Sequence, residues 1–335
     1  MSHWQDFLQQ QGARFAADGG ASFPAIDAQA PYLCDLGNTA LVHIKGAEAA
    51  KFLQGQVTCD LRELSPTQWL PGAQCNLKGR VIASFAVAQT EPEALLLRTS
   101  HDLADTFITG LTKYAVFSKV TLSPAEDWQA LGVCGAGAEQ ALADTLGLAF
   151  AESERLVVTQ ELIALKHDTD QIELWLKQEA SQAQWLTLRE AFTPAATGQW
   201  QLGLINAGRA DVTTATSELF TPQDLNYPEI GAVSFKKGCY TGQEVVARLH
   251  YKGKLKKHLY PIEFCAAALP EAGSDLTDSD GKKRGQLVQW AARQDRLYRG
   301  LAVLPDEDGD ELYIGDPPEQ AKRLDLPYAI KNSHN

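Results

Sequence analysis

The stretch of this sequence with the densest reactive chemistry is Phe235-Lys236-Lys237-Gly238-Cys239-Tyr240-Thr241-Gly242-Gln243-Glu244-Val245-Val246-Ala247-Arg248. A cysteine acts as a nucleophile or ligand through its thiolate, and adjoining positive charge favours that form over the thiol. Lys236 and Lys237 precede Cys239, and Thr241-Gly242-Gln243-Glu244 has the spacing of a capping box at a helix start. A helix beginning there turns its positive end toward Cys239. Gly238 and Gly242 leave the backbone free to turn tightly around the sulfur. Capping boxes are common, lysine pairs are usually solvated, and a single cysteine is more often core than reagent. Their coincidence in one short segment marks Cys239 as a candidate reactive thiol, with Lys237 and Arg248 as its electrostatic support.

Other charged and ligating residues gather nearby. From Lys236 to His258 the cations Lys236, Lys237, Arg248, Lys252, Lys254, Lys256 and Lys257 face one acid, Glu244, a net of +6 that leaves −18 for the remaining residues. Such a basic strip on an acidic chain suits the anionic tail of a small ligand, an RNA backbone or an acidic partner, and the alternating Lys252, Lys254 and Lys256 also fit a solvated hairpin. His250 and His258 lie in the same region without zinc-type spacing, so no metal is assigned. Asp306-Glu307-Asp308-Gly309-Asp310-Glu311 lacks the twelve-residue calcium loop with its terminal Glu and reads as a solvated turn. Neither G-x-G-x-x-G nor G-x-x-x-x-G-K-[ST] occurs, which removes support for nucleotide folds built on those loops.

The chain has 335 residues, 44% hydrophobic and 21% charged, with 42 acids against 30 Lys and Arg, a net charge of −12. That length implies two or three domains and a core that needs no disulfides. A protein this acidic does not hold nucleic acid through bulk charge, so any RNA contact is expected at a local patch. The six cysteines include no Cys-x-x-Cys pair, the first residues lack a signal-peptide pattern, and no apolar run reaches membrane length. A reduced, cytoplasmic protein without a membrane segment is expected.

Periodicity supplies the elements that must position these residues. Residues 1–30 read as a short helix followed by a mobile lead. Leu41 to Ile44 reads as a strand, with a helix from Ala47 to about Gln54. Strands follow over Arg80 to Ala88 and Ala94 to Arg98, joined by the turn Glu91-Pro92-Glu93, and a helix over His101 to Lys113. The middle third predicts a strand at Leu131 to Cys134, a helix at Glu139 to Leu146, strands near Leu162–Leu165 and Ile172–Leu176, and a helix from Gln182 to Ala191. This order fits split βαβ, ferredoxin-like units better than a doubly wound sheet. Short strands at Leu259–Phe264, Gln286–Ala291, Leu297–Leu304 and Glu311–Ile314 predict a small antiparallel barrel or sandwich at the C-terminus.

Lys-Gly-Cys-Tyr-Thr-Gly-Gln-Glu at 237–244, followed by Arg248, resembles the motif of the YgfZ-type folate-binding, tRNA-modifying proteins, relatives of the glycine-cleavage aminomethyltransferase (T-protein). Ile44-Lys45-Gly46 with Phe52-Leu53-Gln54-Gly55-Gln56-Val57-Thr58, and Lys113-Tyr114-Ala115-Val116-Phe117-Ser118-Lys119-Val120, resemble further blocks of that family. The resemblance runs from about residue 33 to the final barrel.

It implies an α+β fold of two ferredoxin-like lobes and a C-terminal antiparallel β-barrel around a folate-sized channel, divided as residues 1–248 and 249–335. It implies binding of tetrahydrofolate or another reduced folate in support of iron–sulfur enzymes, including those that thiomethylate tRNA. Direct tRNA contact through the strip at 236–258 would be compatible with it. Trp200 matches a position where the family places a folate-contacting tryptophan, and Thr39 stands where it places a second. Near Gly203–Gly208 the relatives often carry an acid where this chain has Asn206; Tyr240 and Gln243 of the motif complete the implied folate contacts. The aminomethyltransferase pattern Asn-x-x-Gly-Gly-Ile-x-Asp-Asp corresponds to Asn76-Leu77-Lys78-Gly79-Arg80-Val81-Ile82-Ala83-Ser84. Both acids are replaced, by Ala83 and Ser84, and neither holds a carboxylate beside a developing cation. Glycine cleavage is therefore not expected. A one-carbon transferase using Cys239, and a protein–protein adaptor with a vestigial folate site, stand as alternatives to the folate-binding factor.

Overall fold

In the computed structural model, residues 2–24, 31–253, 255–266, 268–294, 296–307 and 311–331 are described. Lys254 of the basic strip and Asp308, Gly309 and Asp310 of the acidic turn lie outside them, as does 25–30 of the N-terminal lead.

Two sheets each repeat the same wiring. In the first, the strands run in the order Leu70–Cys75, Val81–Glu91, Ala94–Ser100, Thr39–Lys45, Thr121–Pro124. In the second, the order is Leu156–Val158, Leu162–Asp168, Gln171–Lys177, Trp128–Cys134, Tyr32–Asp35, Thr193–Ala195. Each contains the second-third-first-fourth strand order of a split βαββαβ unit. The first adds Leu70–Cys75 at its edge. The second wedges Tyr32–Asp35 between its first and fourth strands, antiparallel to Trp128–Cys134 and parallel to Thr193–Ala195. Both ferredoxin-like lobes read from the sequence are present.

The chain divides into two compact units. One comprises Met1–Ala50, Arg62–Leu70 and Ala86–Gly203; the other comprises Lys51–Leu61, Pro71–Phe85 and Leu204–Asn335. In the first unit, helices His3–Gln10, Ala138–Leu146 and Gln178–Leu188 contribute apolar side chains to one core with the six-stranded sheet. Trp4 and Leu8, one helical turn apart, are buried in it with Trp185, Leu142 and Leu174. The start of the N-terminal segment is thus docked: Ser2 and Gln5 form a capping box at its helix start. The expected helix at Gln182 begins earlier, at Gln178.

In the second unit, strands Lys257–Cys265, Leu297–Pro305, Lys283–Gln294, Asp275–Thr277, Leu312–Ile314 and Glu319–Arg323 close into an antiparallel barrel. Its interior is filled by Ile262, Phe264, Leu276, Leu287, Ala302 and Leu304. Closure needs strong bending, which the register shifts between Leu287 and Gln289 and between Ala292 and Gln294 provide. Gly300 faces this bend, where a Cβ would lie 2.9 Å from the Gln289 carbonyl oxygen.

Two local expectations are corrected. Residues 243–252 form a helix, Gln243–Lys252, so Lys252 ends a helix instead of alternating along a hairpin. That helix is not started by a capping box. Its N-cap is Gly242 at φ +83°, with no side-chain cap bond. The reason is steric: a Cβ on Gly242 would lie 2.4 Å from the Asn76 carbonyl oxygen, so a glycine must occupy the cap position itself.

Candidate functional site around Cys239

The motif is anchored from two sides within the second unit. On one side is the turn after Leu70–Cys75. Asn76 closes it, its Oδ1 accepting from the Lys78 and Arg80 amides at 2.9 and 3.0 Å. Gly79 adopts φ +67° and faces Val245, to whose Cβ an added methyl would approach within 2.9 Å. Asn76 and Gly79, retained from the aminomethyltransferase pattern, therefore seat the start of helix Gln243–Lys252.

On the other side is the segment 54–59. Lys237 is buried, and its ammonium donates to the carbonyls of Gln54, Val57 and Cys59 at 2.8, 2.6 and 2.6 Å. It also lies 5.0 Å from the Tyr240 ring. Lys237 is thus a cation that gathers three carbonyl dipoles and holds the loop. The Thr58 hydroxyl donates to the Ala232 carbonyl at 2.6 Å, and the Ser234 amide donates to the Thr58 carbonyl at 2.9 Å. Thr241, freed from capping, reaches Gln56 at 3.4 Å, while the Gln243 side chain accepts from the Tyr240 amide at 3.3 Å. Tyr240 is buried, and burial pushes its phenol above the ordinary range.

Between these fixed residues Cys239 is exposed, and the neighbouring Gly238 opens onto free space. Cys75, beside Gly242, is the contrasting sulfur: burial pushes its thiol up to about 12, which keeps it protonated and inert. Arg248 is exposed on the helix face that also carries Glu244, Tyr251 and Lys252. His250 stacks on Phe235, and His258 is buried against Asp306 at 2.6 Å, so each ring has a packing or hydrogen-bonding role.

The residues implied as folate contacts belong to both compact units. Tyr240 and Gln243 belong to the motif. Asn206 is exposed and accepts from Arg299 at 2.7 Å. In the first unit, the Thr39 hydroxyl donates to the Leu36 carbonyl at 2.7 Å, and the residue lines a cavity of about 640 Å³ with Trp4, Asp35, His101 and Trp128. Burial raises Asp35 to about 6, against the indole of Trp4 that donates to it at 2.8 Å. Trp200 is 3% exposed. Its ring covers Gly132, where a Cβ would lie 2.4 Å from Cε3, and His167 meets it edge-on at 5.5 Å. The ring therefore packs in the interior of the first unit, where the missing side chain of Gly132 makes room for it.

Several polar groups carry no signal in the spacing of the sequence. Ser84 donates to Asp211 at 3.3 Å and accepts from the Val212 amide at 2.8 Å, so a carboxylate from a distant segment stands beside a position that lost one. Gln74 and Gln223 are buried, and the side-chain oxygen of each lacks a hydrogen-bond partner among the described residues. In the first unit, Glu173 is fully buried and held at about 2 by Arg98, which pairs with it at 3.0 and 3.2 Å, and by His167 at 3.0 Å.

A curated relative from Klebsiella pneumoniae (strain 342), named tRNA-modifying protein YgfZ, is 33% identical over 320 residues, covering 92% of this chain and 97% of the relative. A protein of the same name from Escherichia coli O7:K1 (strain IAI39 / ExPEC) is 36% identical over 319 residues, with the same coverage. The chain belongs to the YgfZ family. No family model matches the sequence. Among solved structures, the glycine cleavage system aminomethyltransferase T from Bartonella henselae superposes with a TM-score of 0.78 over 97% of this chain and 96% of that one. Identity to it is 17%, so the likeness is one of fold. This YgfZ-family chain thus has the aminomethyltransferase-like α+β fold with its closed barrel.

Proposed function

We propose that this YgfZ-family protein is a folate-binding factor in tRNA modification, that it supports iron–sulfur enzymes that thiomethylate tRNA, and that Cys239 is its reactive centre. One observation carries the reading of the site: Lys237 and Tyr240 are buried around a single exposed sulfur. A loop built only for packing has no use for that arrangement, because tying down the neighbours fixes where the thiol stands. The curated relatives' names supply the tRNA side of the proposal.

The folate half rests on the family and on two orphan acceptors. A pterin presents a donor-rich edge, and the unpartnered oxygens of buried Gln74 and Gln223 are the type of group that would receive it. When bound, a reduced folate would supply a one-carbon carrier. Gln74 and Gln223 would orient its ring, while Cys239 stays open to the client. Glycine cleavage is not part of the proposal, since Ala83 is fully buried and Ser84 offers no charge of its own. The Asp211 carboxylate beside Ser84 favours a second reading, a one-carbon transferase.

The test combines two measurements. Reduced folates should raise the melting temperature of the wild type and not of Gln223→Leu. In cells lacking the native protein, Cys239→Ala should fail to restore tRNA thiomethylation. Full rescue by Cys239→Ala would remove the thiol from the function, and no thermal shift with any reduced folate would remove the ligand. Turnover of methylene-folate that disappears in Asp211→Asn would favour the transferase.

A further inference from the structure

Three aromatic side chains cluster beside the motif without belonging to the barrel core. Phe235 and His250 stack nearly parallel, with centroids 3.6 Å apart and planes inclined by 9°. Tyr251 meets His250 edge-on at 4.8 Å and 75°, and lies 6.2 Å from Phe235. It remains 62% exposed, far more than packing alone would leave a tyrosine. Burial lowers the pKa of His250 below its ordinary value, which keeps the ring neutral at physiological pH although Glu229 opposes the shift.

Cations surround this cluster. Arg248, Tyr251 and Lys252 occupy positions i, i+3 and i+4 and share one exposed helix face. Lys236 adjoins Phe235 and is exposed. Glu244, on the same helix face, and Glu229, which acts on His250, are the acids to set against these three cations. The patch is therefore net positive on a chain of net charge −12.

We propose that the Phe235–His250–Tyr251 cluster, with Arg248 and Lys252, is a docking surface for RNA bearing unpaired bases. The inference rests on the tRNA-modification reading and deepens it by naming the surface. Flat exposed rings stack on any base that is free of a duplex, while cations one helical turn away take up the phosphates. Carboxylate side chains would use the cations but offer no ring to Tyr251, whereas every unpaired base does, so the aromatic component favours RNA. The overall negative charge repels RNA from the rest of the surface and confines contact to this patch.

The test uses the purified full chain and fluorescence anisotropy with two labelled RNAs, a stem-loop with an unpaired loop and a fully paired duplex. The stem-loop should bind at least about tenfold more tightly than the duplex. Tyr251→Ala should lose about tenfold on the stem-loop, about 1.4 kcal/mol, and almost nothing on the duplex, with Tyr251→Phe close to wild type. Arg248→Gln with Lys252→Gln should weaken both RNAs and reduce the salt slope of the affinity by about 1.4 for the single-stranded target. If Tyr251→Ala melts early, Tyr251→Leu, which keeps apolar contact without a ring, decides the matter. Unchanged stem-loop affinity in the ringless variants, or equal affinity for the two RNAs, would overturn the proposal. So would retention of an acidic peptide, without RNA, that is lost in Arg248→Gln with Lys252→Gln. Reduced-folate thermal shifts should persist in Tyr251→Ala, which separates this surface from the folate reading.

Discussion

An ammonium that donates to three carbonyl oxygens at 2.6–2.8 Å, as Lys237 does, organises backbone. Cationic hydrogen bonds of this kind stabilise more than neutral ones, and removing the donor strands buried acceptors. Lys237→Met should therefore destabilise the protein by about 3 kcal/mol, read as a lower urea midpoint with an unchanged slope. A change below about 0.5 kcal/mol, typical of an ordinary surface residue, would contradict that role. Arginine should not rescue it, because a planar fork cannot converge on three carbonyls as a tetrahedral ammonium does. The sequence displayed Lys237 beside Cys239 and suggested an electrostatic partnership. Its actual partners lie 178 to 183 residues earlier, and local spacing carries no trace of them. The turn that precedes helix Gln243–Lys252 was legible, since glycines before a helix start are a local pattern. Arg98 and Glu173 were not, because their pairing depends on residues 75 apart in different strands.

At the scale of elements, periodicity disclosed several strands of the split βαββαβ units, while the number of units came from the family resemblance and the fourth strands, Thr121–Pro124 and Thr193–Ala195, were not disclosed. The insertion of Tyr32–Asp35 between two strands of the second sheet was not disclosed. A strand buried on both faces and flanked by distant segments has no local mark of its neighbours. The same limit applies to Trp200. Its partner Gly132 sits in the middle of strand Trp128–Cys134, where a glycine signals close approach but not by what. This packing gives a direct test of whether the Trp200 ring is held against the strand. Gly132→Ala should cost about 1–3 kcal/mol, because a methyl would enter the space of the indole. Trp200→Leu in the same chain should relieve part of that cost, giving a clear coupling in a double-mutant cycle. Additive effects would mean that the ring does not rest on Gly132 and is available for stacking. The measurement is equilibrium unfolding of the two single variants and the double variant.

For the whole molecule, cysteine distribution separates chemistry from packing. Cys34, Cys59, Cys75 and Cys134 are buried, whereas Cys239 and Cys265 are exposed. Local sequence pattern singled out Cys239 alone; Cys265 is also exposed because it ends strand Lys257–Cys265, where the inward alternation of the barrel has run out. Burial alone holds Cys75 protonated, and the hydrogen bond between Cys34 and Cys134 together with burial raises Cys34 well above the ordinary thiol range. Thiol reagents need the thiolate and a path to it, so the native protein should titrate as two fast thiols and four that react only on unfolding. Cys265→Ser should reduce the fast class to one and Cys239→Ser should do the same, while the slow class stays unchanged in both. If Cys239 reacts no faster than Cys265 across neutral pH, exposure alone accounts for it, and its motif adds position without activation. A faster Cys239 would show that its surroundings activate the sulfur beyond what exposure provides.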